Sequence, residues 1–260
     1  MDLGLSGRIA LISGASKGIG RATALALAGE GMDVVLVARN REQLDAVKKE
    51  IEGKGRRAVV YAADLKEAAV AQAAIDLTIA TFGKLDLLIN NAGATRGGNI
   101  LTLSDADWRD GFELKFFTAM RLSRLAWPHL KKSGGGIINI AGVQARMGAA
   151  DFIAVGAVNA AFLLATKALA DMGVTDGVRV NAINPGTIET GRLLARVERH
   201  VAAHKGTPEE AKAALMKDER VARFGKPEEV GSLIAMIASR PMDFMHGAII
   251  EFDGGKTRAL

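Results

Sequence analysis

The stretch "LISGASKGIGRA", residues 11–22, decides the fold. Its first letters end an apolar, β-branched run, and its last letters begin a segment with helical periodicity. Between them, Gly14, Gly18 and Gly20 have the spacing G-x-x-x-G-x-G. Glycines at a strand-to-helix turn allow the backbone to approach a pyrophosphate, which then binds free N–H groups at the helix N-terminus. The stretch therefore predicts a β-α unit that binds a nucleotide.

The remaining sequence repeats this alternation of short apolar runs and longer segments with helical periodicity. Strands are predicted at residues 8–13, 33–38, 57–62, 85–90, 136–141, 178–184 and 248–252. Helices are predicted at residues 18–30, 41–53, 66–82, 104–132 and 151–172. Runs that are apolar on both faces are typical of a parallel sheet covered on both sides. The pattern therefore predicts an α/β fold, a Rossmann-like doubly wound parallel sheet of seven strands with helices on both faces.

Length and composition indicate one domain. The chain has 260 residues, of which 49% are hydrophobic and 24% charged, as expected for a single globular domain over residues 1–260. The one long excursion, at about residues 191–218, is amphipathic and highly charged. A ligand of an open α/β sheet binds beyond the carboxyl ends of the strands, so this excursion is predicted to be a helical lid over the substrate.

Composition also narrows the classes of function. The chain contains no cysteine, which excludes disulfides, thiolate metal sites and cysteine nucleophiles, and a cytoplasmic location is expected. The N-terminus does not read as a signal peptide and no apolar run approaches the ~20 residues of a membrane span, so no membrane association is expected. The net charge of +5 comes from scattered basic residues. We therefore expect a basic cleft for a phosphorylated small molecule, with neither nucleic acid nor a metal ion as a partner.

The end of the second predicted strand indicates the type of nucleotide. An acidic residue about 20 positions beyond the glycine loop would bind the adenosine ribose diol. This chain instead has Ala38 and Arg39 there, and Lys17 lies in the glycine loop. Two cations suit a ribose 2′-phosphate, which favours NADP(H) over NAD(H). The alternative is that Arg39 is a solvated surface residue.

Six motifs occur in order along the chain: "SGASKGIG", "AADL", "NNAG", "INPGTIET", "RFGKPEEV" and "DGG". Together they resemble the short-chain dehydrogenase/reductase family, and in particular its 3-oxoacyl-carrier-protein reductases, over essentially the whole chain. By this resemblance the cofactor contacts lie in the glycine loop, after the second strand, beside the adenine, along the cofactor and at the nicotinamide. These residues are Gly14, Ser16, Lys17, Gly18, Ile19 and Gly20, then Arg39, Asp64 and Leu65, then Asn91, Ala92 and Gly93, and finally Pro185, Gly186, Ile188 and Thr190.

The same resemblance implies a set of proton-handling residues that this chain lacks. The family uses a serine after the fifth strand, a Tyr-x-x-x-Lys on the following helix and an asparagine on the helix before. Alignment of "GGGIINIAGVQA" and "FELKFF" puts Gly142 at the serine, Val155 at the tyrosine, Asn159 at the lysine and Lys115 at the asparagine. General acid–base assistance contributes about 10² to 10⁴ in rate. The usual carbonyl or alcohol chemistry is therefore expected to be slow or absent.

A shift of the alignment does not restore these groups. Tyr61 is the single tyrosine and belongs to the third predicted strand. No serine occurs between Ser133 and Ser232. The loss of the serine–tyrosine pair is therefore a property of the sequence and does not depend on the chosen register.

Other polar residues near these positions are candidates for new roles. Lys115 and Asn159 exchange the two residue types that the family uses, and one hypothesis is that Lys115 bonds Asn159 and places positive charge near the nicotinamide ribose. The alternative is that Lys115 extends to solvent. Gln144 and Arg146 are predicted substrate contacts, although Arg146 also suits a surface role. Asp151 is predicted to cap the helix that carries Asn159.

Three functions remain open from the sequence. The chain could be an NADP(H)-binding protein without redox activity, acting as a sensor or as a subunit beside an active relative. It could be an active NADP-dependent oxidoreductase that uses Lys115, water or the substrate itself. It could also be a non-redox binder that reuses the pocket for an unidentified small molecule. The family resemblance implies a homo-oligomer, a dimer or tetramer, or a hetero-oligomer with an active relative.

Overall fold

The computed structural model describes residues 2–258, which form an open seven-stranded sheet in which every strand pair is parallel. The strands are β1 (Ile9–Ser13), β2 (Asp33–Ala38), β3 (Ala58–Ala62), β4 (Leu87–Asn90), β5 (Gly136–Ile140), β6 (Arg179–Pro185) and β7 (Ile249–Phe252). Their order across the sheet is β3-β2-β1-β4-β5-β6-β7. The predicted fold is confirmed, and the strand order reverses direction between β1 and β4, where such sheets bind ligands.

Helices cover both faces of the sheet. They are α1 (Gly18–Gly29), α2 (Arg41–Glu52), α3 (Ala68–Phe82), α4 (Asp105–Gly111), α5 (Thr118–Ser133), α6 (Ile153–Asp176), α7 (Gly191–His204), α8 (Pro208–Glu219) and α9 (Pro227–Ala238). One apolar cluster joins the sheet to α1, α2 and α9, and a second joins its other face to α3, α5 and α6. Alternate strand residues enter opposite clusters, as with Ile12 and Leu11 of β1. This two-sided burial explains why the strands are apolar throughout.

The predicted helix 104–132 is interrupted before the site. α4 begins with a capping box in which Ser104 and Asp107 bond each other's backbone N–H groups. A π-helical segment, Phe112–Phe117, then separates α4 from α5, and the Thr118 N–H donates to the Glu113 carbonyl. The Thr118 hydroxyl donates to the Leu65 carbonyl at 2.8 Å, which anchors the break to the loop after β3. Single π-helical turns often occur at functional sites, and this one carries Lys115.

The long helix α6 differs from its prediction in two respects. Its N-cap is Phe152, and no side chain caps it, so the prediction for Asp151 is wrong. The Asp151 carbonyl instead accepts a hydrogen bond from the Gly98 N–H at 2.7 Å, which holds this residue in a bridge to the loop after β4. By length and composition α6 could also span a membrane, contrary to the sequence expectation. A core helix meets the same criterion, and Val158 and Phe162 are buried inside the fold.

The insertion after β6 forms the helix pair α7–α8, as its amphipathic sequence predicts. The pair has an apolar cluster of its own, formed by Leu193, Val197, Ala211, Leu215 and Phe224. Thr207 and Glu210 form a capping box that begins α8. The pair follows the carboxyl end of β6, and its role as a lid stays a prediction.

Candidate cofactor and active site

The glycine loop joins β1 to α1 in a conformation that requires its glycines. Gly14 has φ 69°, a left-handed value that disfavours other residues. A Cβ added at Gly20 would collide with the Gly14 carbonyl and would lie 2.6 Å from the Asn91 amide nitrogen. The N-cap residue Lys17 is extended, and no side chain caps α1. The first N–H groups of α1 are therefore free of side-chain partners and suit an anion such as a pyrophosphate.

The loop after β4 is held against the glycine loop. The Asn91 amide donates to the carbonyls of Ser13 and Gly14 at 3.0 and 3.1 Å. The Ser13 hydroxyl accepts from the backbone N–H groups of Asn91 and Ala92, both at 3.0 Å. The Asn91 side chain therefore bonds the backbone of the glycine loop, and it holds the two loops in position beside the cleft.

The ends of β2 and β3 place the predicted adenine-side residues beside this loop. Ala38 is nearly buried, whereas Arg39 and Lys17 are exposed. Arg39 has no ion-pair partner within residues 2–258, although the nearby Arg41 pairs with Asp45. Asp64 accepts a hydrogen bond from the Lys66 N–H at 3.1 Å in the turn after β3.

The segment after β6 closes the other side of the same cleft. Gly186 lies so close to the C-terminal "DGG" turn that an added Cβ would be 2.8 Å from the Asp253 Cα. Thr190 begins α7, and its methyl group would lie 3.1 Å from a Cβ added at Gly18. A groove of about 340 Å³ lies between the starts of α1, α7 and α9. The structure thus brings the predicted residues of the β6 segment and the glycine loop together.

A buried carboxylate that the sequence analysis missed stabilises this segment. Glu219, at the end of α8, is 8% exposed. Its carboxylate accepts hydrogen bonds from Thr187 at 2.7 Å, from Lys256 at 3.0 Å and from Arg196. Burial opposes ionisation, but these donors outweigh it and lower the pKa of Glu219. Glu219 therefore joins the helix pair to the segment after β6 and to the C-terminal segment.

At the serine position, Gly142 follows β5 in an extended conformation. A Cβ added here would lie 3.2 Å from the Asn159 Nδ2 atom, so the Asn159 carboxamide stands beside the place of the missing serine side chain. Asn159 is only 3% exposed. Its Oδ1 atom is buried and has no hydrogen-bond partner in the described part of the chain.

Lys115 takes a different position from the one predicted. Its Nζ atom donates to the Ala141 carbonyl at 2.7 Å, and its alkyl chain would lie 3.1 Å from a Cβ added at Gly93. The expected hydrogen bond to Asn159 is therefore wrong, because packing on Gly93 directs the ammonium to the first free carbonyl after β5. Burial, with a smaller contribution from the charge of Arg192, lowers the pKa of Lys115 to about 7. Arg192 lies in the first turn of α7 and donates to the Gly93 carbonyl.

The predicted substrate contacts lie in the loop after β5. Arg146 forms an ion pair with Glu251 of β7 at 2.8 Å. Glu251 also accepts from the Asn184 amide at 3.1 Å, and Asn184 accepts from the Gly142 N–H at 2.9 Å. Arg146 is therefore neutralised inside a network that reaches the serine position. Gln144 remains available, because its Oε1 atom is buried without a partner among residues 2–258.

No tyrosine lies near the position that the family's chemistry requires. Val155 is partly buried on α6, one turn before Asn159. Tyr61, the one tyrosine of the sequence, lies in the edge strand β3, which β2, β1 and β4 separate from β5. Residues 2–258 also contain no group of three or more acidic, histidine or cysteine side chains placed to hold a metal ion.

Comparisons with known proteins agree with this architecture. A family model described as short chain dehydrogenase matches residues 8–200. An uncharacterized oxidoreductase of Mycobacterium tuberculosis is 37% identical, covering 97% of this chain and 93% of that protein. A 3-oxoacyl-[acyl-carrier-protein] reductase of Thermotoga maritima is 30% identical, covering 96% of this chain and 98% of that protein.

Among solved structures, L-sorbose reductase from Gluconobacter frateurii, complexed with NADPH and L-sorbose, superposes with a TM-score of 0.96. It is 30% identical, and the match covers 100% of both chains. Family match, sequence identity and fold agree over nearly the whole length. The chain belongs to the short-chain dehydrogenase family and is of the kind related to 3-oxoacyl-carrier-protein reductases.

Proposed function

We propose that this protein binds NADP(H) in the cleft between the glycine loop and the segment after β6. The uncapped start of α1 suits the pyrophosphate, and the exposed Arg39, with Lys17, suits a ribose 2′-phosphate. The related L-sorbose reductase was crystallised with NADPH. The other predicted cofactor contacts, from Asp64 to Thr190, line the same edge of the sheet.

We further propose that ordinary carbonyl reduction or alcohol oxidation is slow or absent. NADPH supplies a hydride, and hydride addition to a carbonyl creates an alkoxide that needs a proton or a strong hydrogen-bond donor. The observation that carries this proposal is the hydrocarbon side chain of Val155 at the tyrosine position, with the sole tyrosine on the distant edge strand β3. Gly142 likewise offers no hydroxyl to orient a substrate oxygen.

A second candidate is an active NADP-dependent oxidoreductase that uses Lys115. Its ammonium lies at the end of β5 with a pKa of about 7, which suits proton donation at neutral pH. In this candidate Lys115, or water beside it, protonates the product oxygen. The oxidoreductase names of the relatives agree with this alternative as well as with the fold.

A non-redox binder that reuses the pocket is the third candidate. It does not need the glycine conformation at Gly14, the uncapped start of α1 or the exposed Arg39. We therefore rank it below the other two. In all three the small-molecule ligand is unidentified.

The protein is further proposed to act in the cytoplasm as a homo-oligomer, a dimer or tetramer, or beside an active relative in a hetero-oligomer. The outer side of α6 supports association, because Leu164 and Val174 are more than 70% exposed there. Light scattering on the purified chain tests the homo-oligomer. A sample that stays monomeric at all concentrations contradicts it.

One experiment separates the three candidates. NADPH is titrated by fluorescence. The NADPH complex is then offered carbonyls and enones, and the NADP⁺ complex is offered alcohols, while the nicotinamide absorbance is followed. Binding without turnover is the expected result. Turnover that is lost in Lys115→Met supports the second candidate, and an absence of NADPH binding supports the third.

A further inference from the structure

We propose that Lys115, Arg192 and Asn159 form a receptor for the carboxylate of a small anionic ligand, at the end of β5 where the family's serine and tyrosine are missing. The proposal deepens the proposed function, because it names the class of molecule that enters the cleft beside the cofactor. All three groups belong to the protein itself.

The first observation is the state of the Asn159 side chain. Asn159 is only 3% exposed, yet its Oδ1 atom has no hydrogen-bond partner in the described residues. A buried amide oxygen without a partner costs about 1–3 kcal/mol, and a ligand that carries a hydroxyl donor beside its carboxylate would satisfy it. A bound ligand that satisfies this oxygen would remove that cost.

The position of that amide indicates the use. Nδ2 lies 3.2 Å from the point where a side chain at Gly142 would begin. The donor of Asn159 therefore stands beside the place from which the family's serine hydroxyl reaches a substrate oxygen. Gly142 leaves that space open, and an amide N–H is a suitable donor for a ligand oxygen.

The second observation is a pair of cations without an acid. Lys115 packs its alkyl chain on Gly93, and Arg192 reaches the Gly93 carbonyl from the first turn of α7. Neither forms a salt bridge with an acidic residue in the described ranges, whereas Arg196 and Arg146 nearby are each paired with a glutamate. Two uncompensated cations repel each other, so an anion bound between them is stabilised.

These groups converge on one short piece of backbone. The Lys115 ammonium is bonded to the Ala141 carbonyl, and the Asn159 amide lies against the next residue, Gly142. A ligand oxygen at this point would meet a cation on one side and an amide donor on the other. A carboxylate supplies both the negative charge and the two acceptor oxygens that this arrangement suits.

The test uses 2-oxobutanoate and its neutral methyl ester as probes. Each is titrated by calorimetry into the protein with NADP⁺, which cannot donate a hydride, so equilibrium binding is measured without turnover. The acid is expected to bind about tenfold or more tightly than the ester. Lys115→Met and Asn159→Leu should each remove most of that preference, and Arg192→Met should reduce it.

Matched variants keep the result interpretable. Lys131→Met removes a surface lysine that pairs with Asp176, and it should leave the preference unchanged. Lys115→Arg keeps the cation, and it should retain part of the preference even if Lys115→Met folds poorly. Circular dichroism and melting temperature establish which variants are folded.

Two results would overturn the inference. One is equal binding of the acid and the ester to the folded wild-type protein. The other is a preference that keeps its wild-type size in folded Lys115→Met and in folded Asn159→Leu, or in Asn159→Leu alone where Lys115→Met does not fold, including the case in which these variants weaken only NADP⁺ binding. If wild-type protein fails to bind NADP⁺, the proposed function fails by itself. The titration of the cofactor-free protein then still decides the inference, with the same preference for the acid expected.

Discussion

The two halves of the cleft differ in what the chain has retained. On the β1–β3 side, the glycine loop, the uncapped start of α1 and the exposed Arg39 fit a phosphorylated dinucleotide. On the β5–α6 side, Gly142 and Val155 stand where the family has its proton-handling groups. Binding the nucleotide and handling the proton are separate physical demands. Under the proposed function, this chain meets the first without the second.

The largest effect is expected from restoring the proton-handling residues in the β5–α6 half of the cleft. The variant Lys115→Asn, Gly142→Ser, Val155→Tyr, Asn159→Lys restores the serine, the tyrosine, the lysine and the asparagine together. Because such groups act as a unit, NADPH-dependent reduction of carbonyls should rise by about 10² or more above the wild-type rate. Initial rates over a panel of ketones measure it.

The matched control replaces the tyrosine of that variant by phenylalanine, which fills the same space without the hydroxyl. It should return to the wild-type rate. Gly142→Ser alone should not raise the activity, because position 155 still holds a valine that cannot exchange a proton. A quadruple variant that binds NADPH and folds, but stays inactive on every ketone, would mean that more than these four positions separates the chain from its relatives.

The next largest effect is expected in the nucleotide-binding half of the cleft, at the glycine loop. A methyl group at residue 20 would collide with the Gly14 carbonyl, so Gly20→Ala should lower the free energy of unfolding by about 3 kcal/mol and abolish measurable NADPH binding. Chemical denaturation and fluorescence titration measure the two effects. Gly29→Ala, in the same helix but facing open space, is the control and should be neutral in both. Wild-type NADPH affinity in Gly20→Ala would refute this account of the loop.

A smaller change tests the choice of nucleotide. Arg39→Ala should weaken NADPH binding by about 10- to 100-fold, because a charge-assisted hydrogen bond contributes about 1.5–3 kcal/mol. NADH binding should not change. Arg41→Ala, which removes the partner of Asp45, should affect neither. Equal losses for both nucleotides would show that Arg39 does not contact a 2′-phosphate.

The smallest effect concerns the pH dependence of stability. The folded chain lowers the pKa of Lys115 from 10.5 to about 7, by burial and by the charge of Arg192. Between those values the unfolded chain binds more protons than the folded chain, so the wild-type protein gains stability as pH rises above 7. Below pH 7, Lys115 is charged in both states and the full free-energy cost of burying its charge is present. Relative to Lys115→Met, its free energy of unfolding should increase by about 1–2 kcal/mol from pH 7 to pH 9. If the free energy of unfolding depended on pH in the same way for both proteins, the Lys115 ammonium would have to lie in solvent.

Much of the fold was predictable because it depends on local patterns. Strands buried on both faces read as continuous apolar runs, and all seven were predicted within one or two residues of their ends. The ordered motifs likewise identified the segments that meet at the cleft. These features are set by residues close together in sequence.

The contacts inside the site were less predictable because they join distant elements. The π-helical turn before α5, the reach of Lys115 to Ala141 and the contact of Arg192 with Gly93 depend on how helices pack. Glu219 is one acid among many charges in the helix pair α7–α8, and nothing in its local sequence indicates its partners Thr187, Arg196 and Lys256. The exchange of Lys115 and Asn159 was visible in the sequence, but their actual neighbours were not.

The most direct test of the central claim is made on a single sample of wild-type protein. NADPH is titrated to saturation by fluorescence, and excess ketone is added while the nicotinamide absorbance is recorded. The account predicts saturable binding followed by an absorbance that decays no faster than in a protein-free control. Either the absence of binding, or reduction of the ketone that is clearly faster than in the protein-free control, would contradict it.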